Sequence, residues 1–185
     1  MTNVLVLVGS LRAASTNRQI AETAVALAPE GVELSIYEGL GDLPFYNEDL
    51  DVEGSVPQAA ADFRAAITAS DAVLVVTPEH NGTVPSVLKN AIDWASRPYG
   101  ASPLTGKPLV AIGSAFGQYG GVWAQDDARK AFGIAGAHVL TEVTMAIPGS
   151  VVRFADVHPK DDAEVVEKLT VVLGGLVAAT KVIAA

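Results

Sequence analysis

The sequence predicts an α/β fold, a doubly wound five-stranded parallel sheet in the order 2-1-3-4-5 with helices on both faces. Three observations predict it. Short apolar runs alternate with helical stripes along the whole chain. Three of those runs are almost continuously apolar, as strands covered on both faces must be. No repeat, linker or low-complexity stretch interrupts the 185 residues, so one domain, 1–185, is expected around one sheet. Five βα units with right-handed crossovers leave few topologies, of which this order is the preferred one.

The elements follow in chain order. NVLVLVG is the first strand, and the polar turn SLRAASTNRQ leads into a helix over about 17–28. VELSIYE is the second strand. The irregular GLGDLPFYNEDLDVEGS after it is a candidate substrate-side loop, and Pro57 starts a helix over 56–70. DAVLVVTP is the third strand, and Pro85 opens a helix over 85–96 beyond the turn EHNGT. On that helix Leu88, Ile92 and Ala95 form an apolar stripe with Trp94 as a core or interface residue, while Lys89, Asp93 and Arg97 recur at i, i+4, i+8 on the opposite face. PLVAIGSA is the fourth strand, followed by a glycine-rich loop and a helix over 121–135. HVLTEVTMAI is the fifth strand, and Asp161–Asp162 precede a last helix over 161–184. That helix is apolar but broken by Gly174–Gly175 and Lys181, and falls short of the roughly 20 apolar residues of a membrane span. It reads as a buried or interface helix.

A net charge of −9 argues against nucleic acid or an anionic membrane as partner. Any anion bound here must be held by local donors. The absence of cysteine removes disulfides, thiolate nucleophiles and cysteine-rich metal sites and fits a cytoplasmic protein. MTNVLVLVGSLR lacks the positive leading region of a signal peptide. No metal-ligand set is assigned.

In open α/β sheets ligands lie outside the carboxyl ends of the strands where the order reverses, here between the first and third. The loop after the first strand carries Ser10, Arg12, Ser15, Thr16 and Asn17 ahead of a helix N-terminus, an end that favours anions. A bridging pyrophosphate would call for G-x-G-x-x-G, of which Gly9 alone is present, and no Walker sequence occurs. Hydroxyl and amide donors with a guanidinium instead suit a terminal phosphate with its two charges and three acceptor oxygens. The cluster reads as a mononucleotide phosphate site. After the third strand, Pro78, Glu79, His80, Asn81 and Gly82 make a turn at the same crevice. His80 by itself is no catalyst. In the third loop Ser114, Gly117, Gly120 and Gly121 let backbone pass close either to a ligand or to a neighbouring loop.

GSLRAASTNR, TPEHNGTVPSVLKNAIDWASRP and S-x-x-G-x-x-G-G stand in the order and spacing of the NAD(P)H-dependent FMN reductases, a family of flavodoxin-like quinone, azo-dye and chromate reductases that the chain resembles. The resemblance implies tightly bound FMN with NAD(P)H as electron donor. Its phosphate would be held by Ser10, Leu11, Arg12, Ser15, Thr16 and Asn17. The isoalloxazine ring would lie along Pro78, Glu79, His80, Asn81 and Gly82, with Ser114 and Gly117 touching it from the third loop. A small acceptor (quinone, free flavin, azo dye or chromate) would then be reduced by ping-pong hydride transfer through flavin N5, with no protein acid–base catalyst. The resemblance also implies a homodimer or homotetramer with helix 85–97 at the interface, where Lys89, Asp93 and Arg97 would pair across subunits. His80 stands where the family commonly has tyrosine, and Phe116 and Trp123 are bulkier than its third motif leads one to expect; these departures bear on acceptor specificity. Two alternatives share the fold. One is an FMN electron carrier without NAD(P)H turnover. The other is a flavin-free receiver-like module, weakened because Thr77–Pro78 occupy the place of a phosphorylated aspartate.

Overall fold

The computed structural model describes residues 1–183. Strands β1 (Thr2–Val8), β2 (Val32–Ile36), β3 (Ala72–Val76), β4 (Pro108–Ser114) and β5 (His138–Val139) are parallel, and the sheet runs β2-β1-β3-β4-β5, the order expected. The continuous apolar runs are explained by two cores. Leu5, Leu7, Val73 and Val75 face helices α2 (Gln58–Ala69), α3 (Ser86–Ala95) and α4 (Val122–Ile134). Val4, Val6, Leu74 and Val76 face α1 (Thr16–Ala26) and α6 (Ala163–Ile183) on the other side. Successive side chains point to opposite faces, so a strand covered on both must be apolar at every position. Pro57 and Pro85 sit immediately before α2 and α3, as their fixed φ favours. Trp94 is fully buried, a core residue. Position 184, expected to end the last helix, lies outside the described residues.

The fifth strand departs from expectation. In place of one run over HVLTEVTMAI there are two short strands, β5 (His138–Val139) beside Pro108–Leu109 and β6 (Ala146–Ile147) beside Gly113–Ser114. Between them the Ala111 carbonyl would be left without a ladder partner, and the Arg129 guanidinium of α4 donates to it at 2.8 Å. Polar Thr141 and Glu142 turn outward. Val143 turns back under α6, so close that a Cβ on Gly175 would meet its Cγ2 at 2.9 Å. Gly175 is thus the close approach of α6 to this excursion. A further short helix, α5 (Ser150–Arg153), follows β6.

The long segment after β2 is ordered by α3. Asn90 accepts from Tyr46 N–H at 2.8 Å and donates to the Pro44 carbonyl at 3.0 Å, which also takes the Trp94 indole N–H at 2.7 Å. Arg64 of α2 closes the far end with a two-pronged pair to Asp51 at 2.7 and 2.8 Å. Among the described residues no helix is long and apolar enough to cross a membrane.

Candidate functional site

The carboxyl ends of β1, β3 and β4 converge more tightly than any side chain allows. A Cβ on Gly9 would stand 2.6 Å from Thr77 Oγ1, and one on Gly113 would stand 1.9 Å from the Thr77 carbonyl oxygen. Glycine at both positions lets the first and third loops meet. There the buried Asn17 amide donates to the Ser114 carbonyl at 3.0 Å and accepts from Ser114 N–H at 2.9 Å.

The first loop is built as a cradle. Ser15 caps α1, its hydroxyl accepting from Arg18 N–H at 3.4 Å, and its own N–H closes a turn on the Arg12 carbonyl at 3.0 Å. Ser10 Oγ accepts from Arg12 N–H. Among the described residues no acceptor pairs with the N–H groups of Leu11, Ala13 and Ala14, and the exposed Arg12 guanidinium has no carboxylate partner. Ser10, Leu11 and Arg12 border a cavity of about 200 Å³ with Arg18, Tyr37 and Glu38. Arg18 is committed, bonded to Glu22 and Glu38; its guanidinium holds the Glu38 carboxyl below its ordinary range. Unpaired N–H groups, a free guanidinium and the N-terminus of α1, which Thr16 opens, are what a doubly charged phosphate requires. Within this cluster Ser15 and Asn17 also carry structural bonds, the helix cap and the brace to β4.

The second loop is a tight reversal. His80 and Thr83 exchange backbone hydrogen bonds at 3.1 Å, and Asn81 and Gly82 between them have φ of 52° and 74°, the type I′ geometry that Asn-Gly favours. Pro78 offers its carbonyl to Thr77 Oγ1 at 2.9 Å. Glu79, expected along the ring, turns its carboxylate onto the N-terminus of α4 and accepts from the N–H groups of Trp123 and Ala124 at 3.1 and 3.3 Å. Thr83 donates to Asp127 at 2.6 Å. The turn is therefore clamped to α4 at two points. His80 is exposed.

At the end of β4, Ser114 is 1% exposed and its hydroxyl has no hydrogen-bond partner among the described residues. A buried hydroxyl left this way costs about 1–3 kcal/mol unless a ligand completes it. Exposed Gly117 accepts from Gly120 N–H at 3.2 Å and Gly149 N–H at 3.4 Å. The loop rests on β6 and α5: a Cβ on Gly120 would stand 2.7 Å from Ile147 N, and Ser150 N–H reaches the Ala115 carbonyl at 3.1 Å. No sequence signal had joined residues 146–150 to the site. The Trp123 ring lies beside the 78–82 turn, 3.8 Å from where a Cβ on Gly82 would stand, and Tyr119 packs against it; bulky aromatics in a glycine-rich loop are their one sequence signal. Larger hollows, of about 550 Å³ around Lys107 and about 480 Å³ between α3 and α4, contain none of the expected site residues.

Residues 2–151 match the family model described as NADPH-dependent FMN reductase. A quinone reductase of Pseudomonas putida is 50% identical over 128 residues, 69% of this chain and 68% of that protein. A 2-hydroxy-1,4-benzoquinone reductase of a Burkholderia species is 43% identical over 126 residues, 68% of this chain and 67% of that protein. Among solved structures, the flavoenzyme NAD(P)H:(acceptor) oxidoreductase of Paracoccus denitrificans superposes with a TM-score of 0.75 at 30% identity, over 98% of this chain and 96% of that one. The chain, whose strand ends gather a loop of open N–H groups, a clamped Asn-Gly turn and a buried hydroxyl, belongs to the NADPH-dependent FMN reductase family.

Proposed function

We propose that the protein is an FMN-dependent NAD(P)H oxidoreductase that reduces quinones and similar small acceptors at the carboxyl ends of β1, β3 and β4. The observation that carries this reading is the Ser114 hydroxyl, without a partner among the described residues, together with the open N–H groups of Leu11, Ala13 and Ala14, joined through Asn17. FMN, when bound, supplies the hydride acceptor and donor at its ring N5.

The chain's own residues bind and orient. Arg12 and the N–H groups of the first loop hold the phosphate. The 78–82 turn, fixed on α4 by Glu79 and Thr83, presents backbone to the ring edge, and Ser114 donates from beneath. With this much of the cradle built from local donors, FMN stays bound through turnover. The nicotinamide and the acceptor use the same mouth in turn, so two-substrate kinetics give parallel double-reciprocal lines. No side chain is needed as proton donor or acceptor.

A second copy of the chain is supported on the outer face of α3 and α4, where Ile134 is 81% exposed beside the hollow lined by Val84, Ala131 and Lys130. A homodimer or homotetramer with α3 at its interface follows. Lys89 pairs with Asp93 at 2.7 Å and Arg97 with the Tyr46 hydroxyl at 3.1 Å. The apolar rim, rather than these side chains, is thus the surface that calls for cover. A cysteine-free chain supports a cytoplasmic setting.

The deciding measurement is FMN titration of the wild type and Arg12→Ala. Arg12 is exposed and its guanidinium has no partner among the described residues, so its removal leaves the fold intact, whereas Ser15→Ala would also uncap α1. Loss of one charge-assisted partner, about 1.5–3 kcal/mol, weakens FMN binding roughly tenfold to a hundredfold. A colourless protein that ignores added FMN ends this reading, and a yellow protein that fails to oxidise NAD(P)H reduces it to an electron carrier.

A further inference from the structure

Two aromatic rings at the mouth take no part in the cradle. Tyr119 and Trp123 are 54% and 52% exposed, although rings of this size usually lose most of their surface on folding. Their centroids lie 5.3 Å apart with the planes inclined at 50°. The indole lies over the Asn-Gly turn, where a Cβ on Gly82 would stand 3.8 Å from its Cε3. Neither ring hangs on a loose tether. Trp123 N–H is held by the Glu79 carboxylate at 3.1 Å, and Gly120, next to Tyr119, is wedged against the Ile147 backbone. Phe116, earlier in the same loop, is 72% exposed. The result is a fixed aromatic surface, half open to solvent, beside the turn that faces the site.

The two loops that carry it, residues 77–83 and 114–124, hold no lysine or arginine, Glu79 lies among them, and the whole chain carries −9. A compact oxyanion finds no partner on these walls and meets a repelling field. A neutral planar ring gains both ways, by losing apolar surface to the wall and by stacking on it.

We propose that Tyr119 and Trp123 form the acceptor-facing wall of the mouth and make it selective for neutral fused-ring quinones over compact oxyanions such as chromate. This assignment rests on the flavin-reductase function proposed above and names the acceptor class of that site. Trp123 supplies the larger face and Tyr119 keeps the indole from swinging outward.

The test uses FMN-loaded wild type, Trp123→Ala, Trp123→Phe and Tyr119→Ala. kcat/KM is measured for a naphthoquinone and for chromate, and naphthoquinone binding to the oxidised protein is measured by calorimetry without NAD(P)H. In Trp123→Ala the naphthoquinone-to-chromate ratio of kcat/KM falls about tenfold and the naphthoquinone Kd rises by a similar factor. Trp123→Phe, which keeps a ring, restores most of both, and Tyr119→Ala shows a smaller loss of the same sign. An unchanged ratio in Trp123→Ala, or a wild type that prefers chromate, overturns the assignment. FMN content is read separately by visible absorbance. A yellow protein with an unchanged ratio removes only the aromatic wall, whereas a protein that takes up no FMN removes the proposed function and this assignment with it.

Discussion

Asn17 shows how much of the site depends on single side chains. Its amide satisfies both the N–H and the carbonyl of Ser114, at 2.9 and 3.0 Å, in a place no water reaches easily. Replacing it with alanine leaves two buried backbone groups without partners, a loss of about 3 kcal/mol. Urea denaturation of Asn17→Ala is expected to show that loss, together with weaker FMN uptake as the first and third loops drift apart. A stability within a few tenths of wild type would mean the brace is idle. The residue type and position of Asn17 place it among the expected site residues. That its amide faces β4 is not legible locally, because the partner Ser114 is 97 residues away.

Among the elements, α4 has its start made by another part of the chain. Gly121 at its N-cap has no side chain to offer, and the Glu79 carboxylate supplies the missing acceptor from across the crevice. An acidic group there also meets the positive end of the helix. Glu79→Ala is therefore expected to cost about 1 kcal/mol, as lost caps do, and to speed hydrogen exchange at the Trp123 and Ala124 amides. Glu79→Gln keeps an acceptor and loses only the charge, so it should recover about half. Equal exchange in all three proteins would show that the clamp does not hold the turn. The split fifth strand belongs to the same scale. Alternating apolar residues in HVLTEVTMAI read as one strand, but the Arg129 side chain takes the place of its middle against Ala111, a substitution of side chain for backbone that no local pattern announces.

At the scale of the whole molecule, the pair Arg64–Asp51 ties the long segment after β2 to α2, while the same guanidinium donates to the Trp94 carbonyl at 2.9 Å. Arg64 holds the Asp51 carboxyl below its ordinary value of 3.8. A carboxylate whose folded value is depressed stabilises the fold above the ordinary value and loses that contribution as pH falls through the lower one. Asp51→Asn, which leaves a nearly buried guanidinium without its counter-ion, is expected to lower the melting temperature at pH 7 by about 5 °C. The gap between mutant and wild type should close as the pH drops below 3.8. A gap that persists unchanged into that acid range would show that the charge is not what Asp51 contributes.

The first four strand runs, the order of the sheet, the two helices that follow prolines and the donor-rich loop after β1 were legible in the sequence, because apolar periodicity and turn chemistry act over a few neighbouring residues. What only the tertiary structure decided were the relations between distant segments: Asn17 on Ser114, Glu79 on α4, Arg129 in the gap of the fifth strand, and residues 146–150 beneath the third loop. Each depends on where polar groups are left unpaired after the sheet and helices pack. Such vacancies exist only once the whole chain is folded, so no stretch of sequence carries their signature by itself.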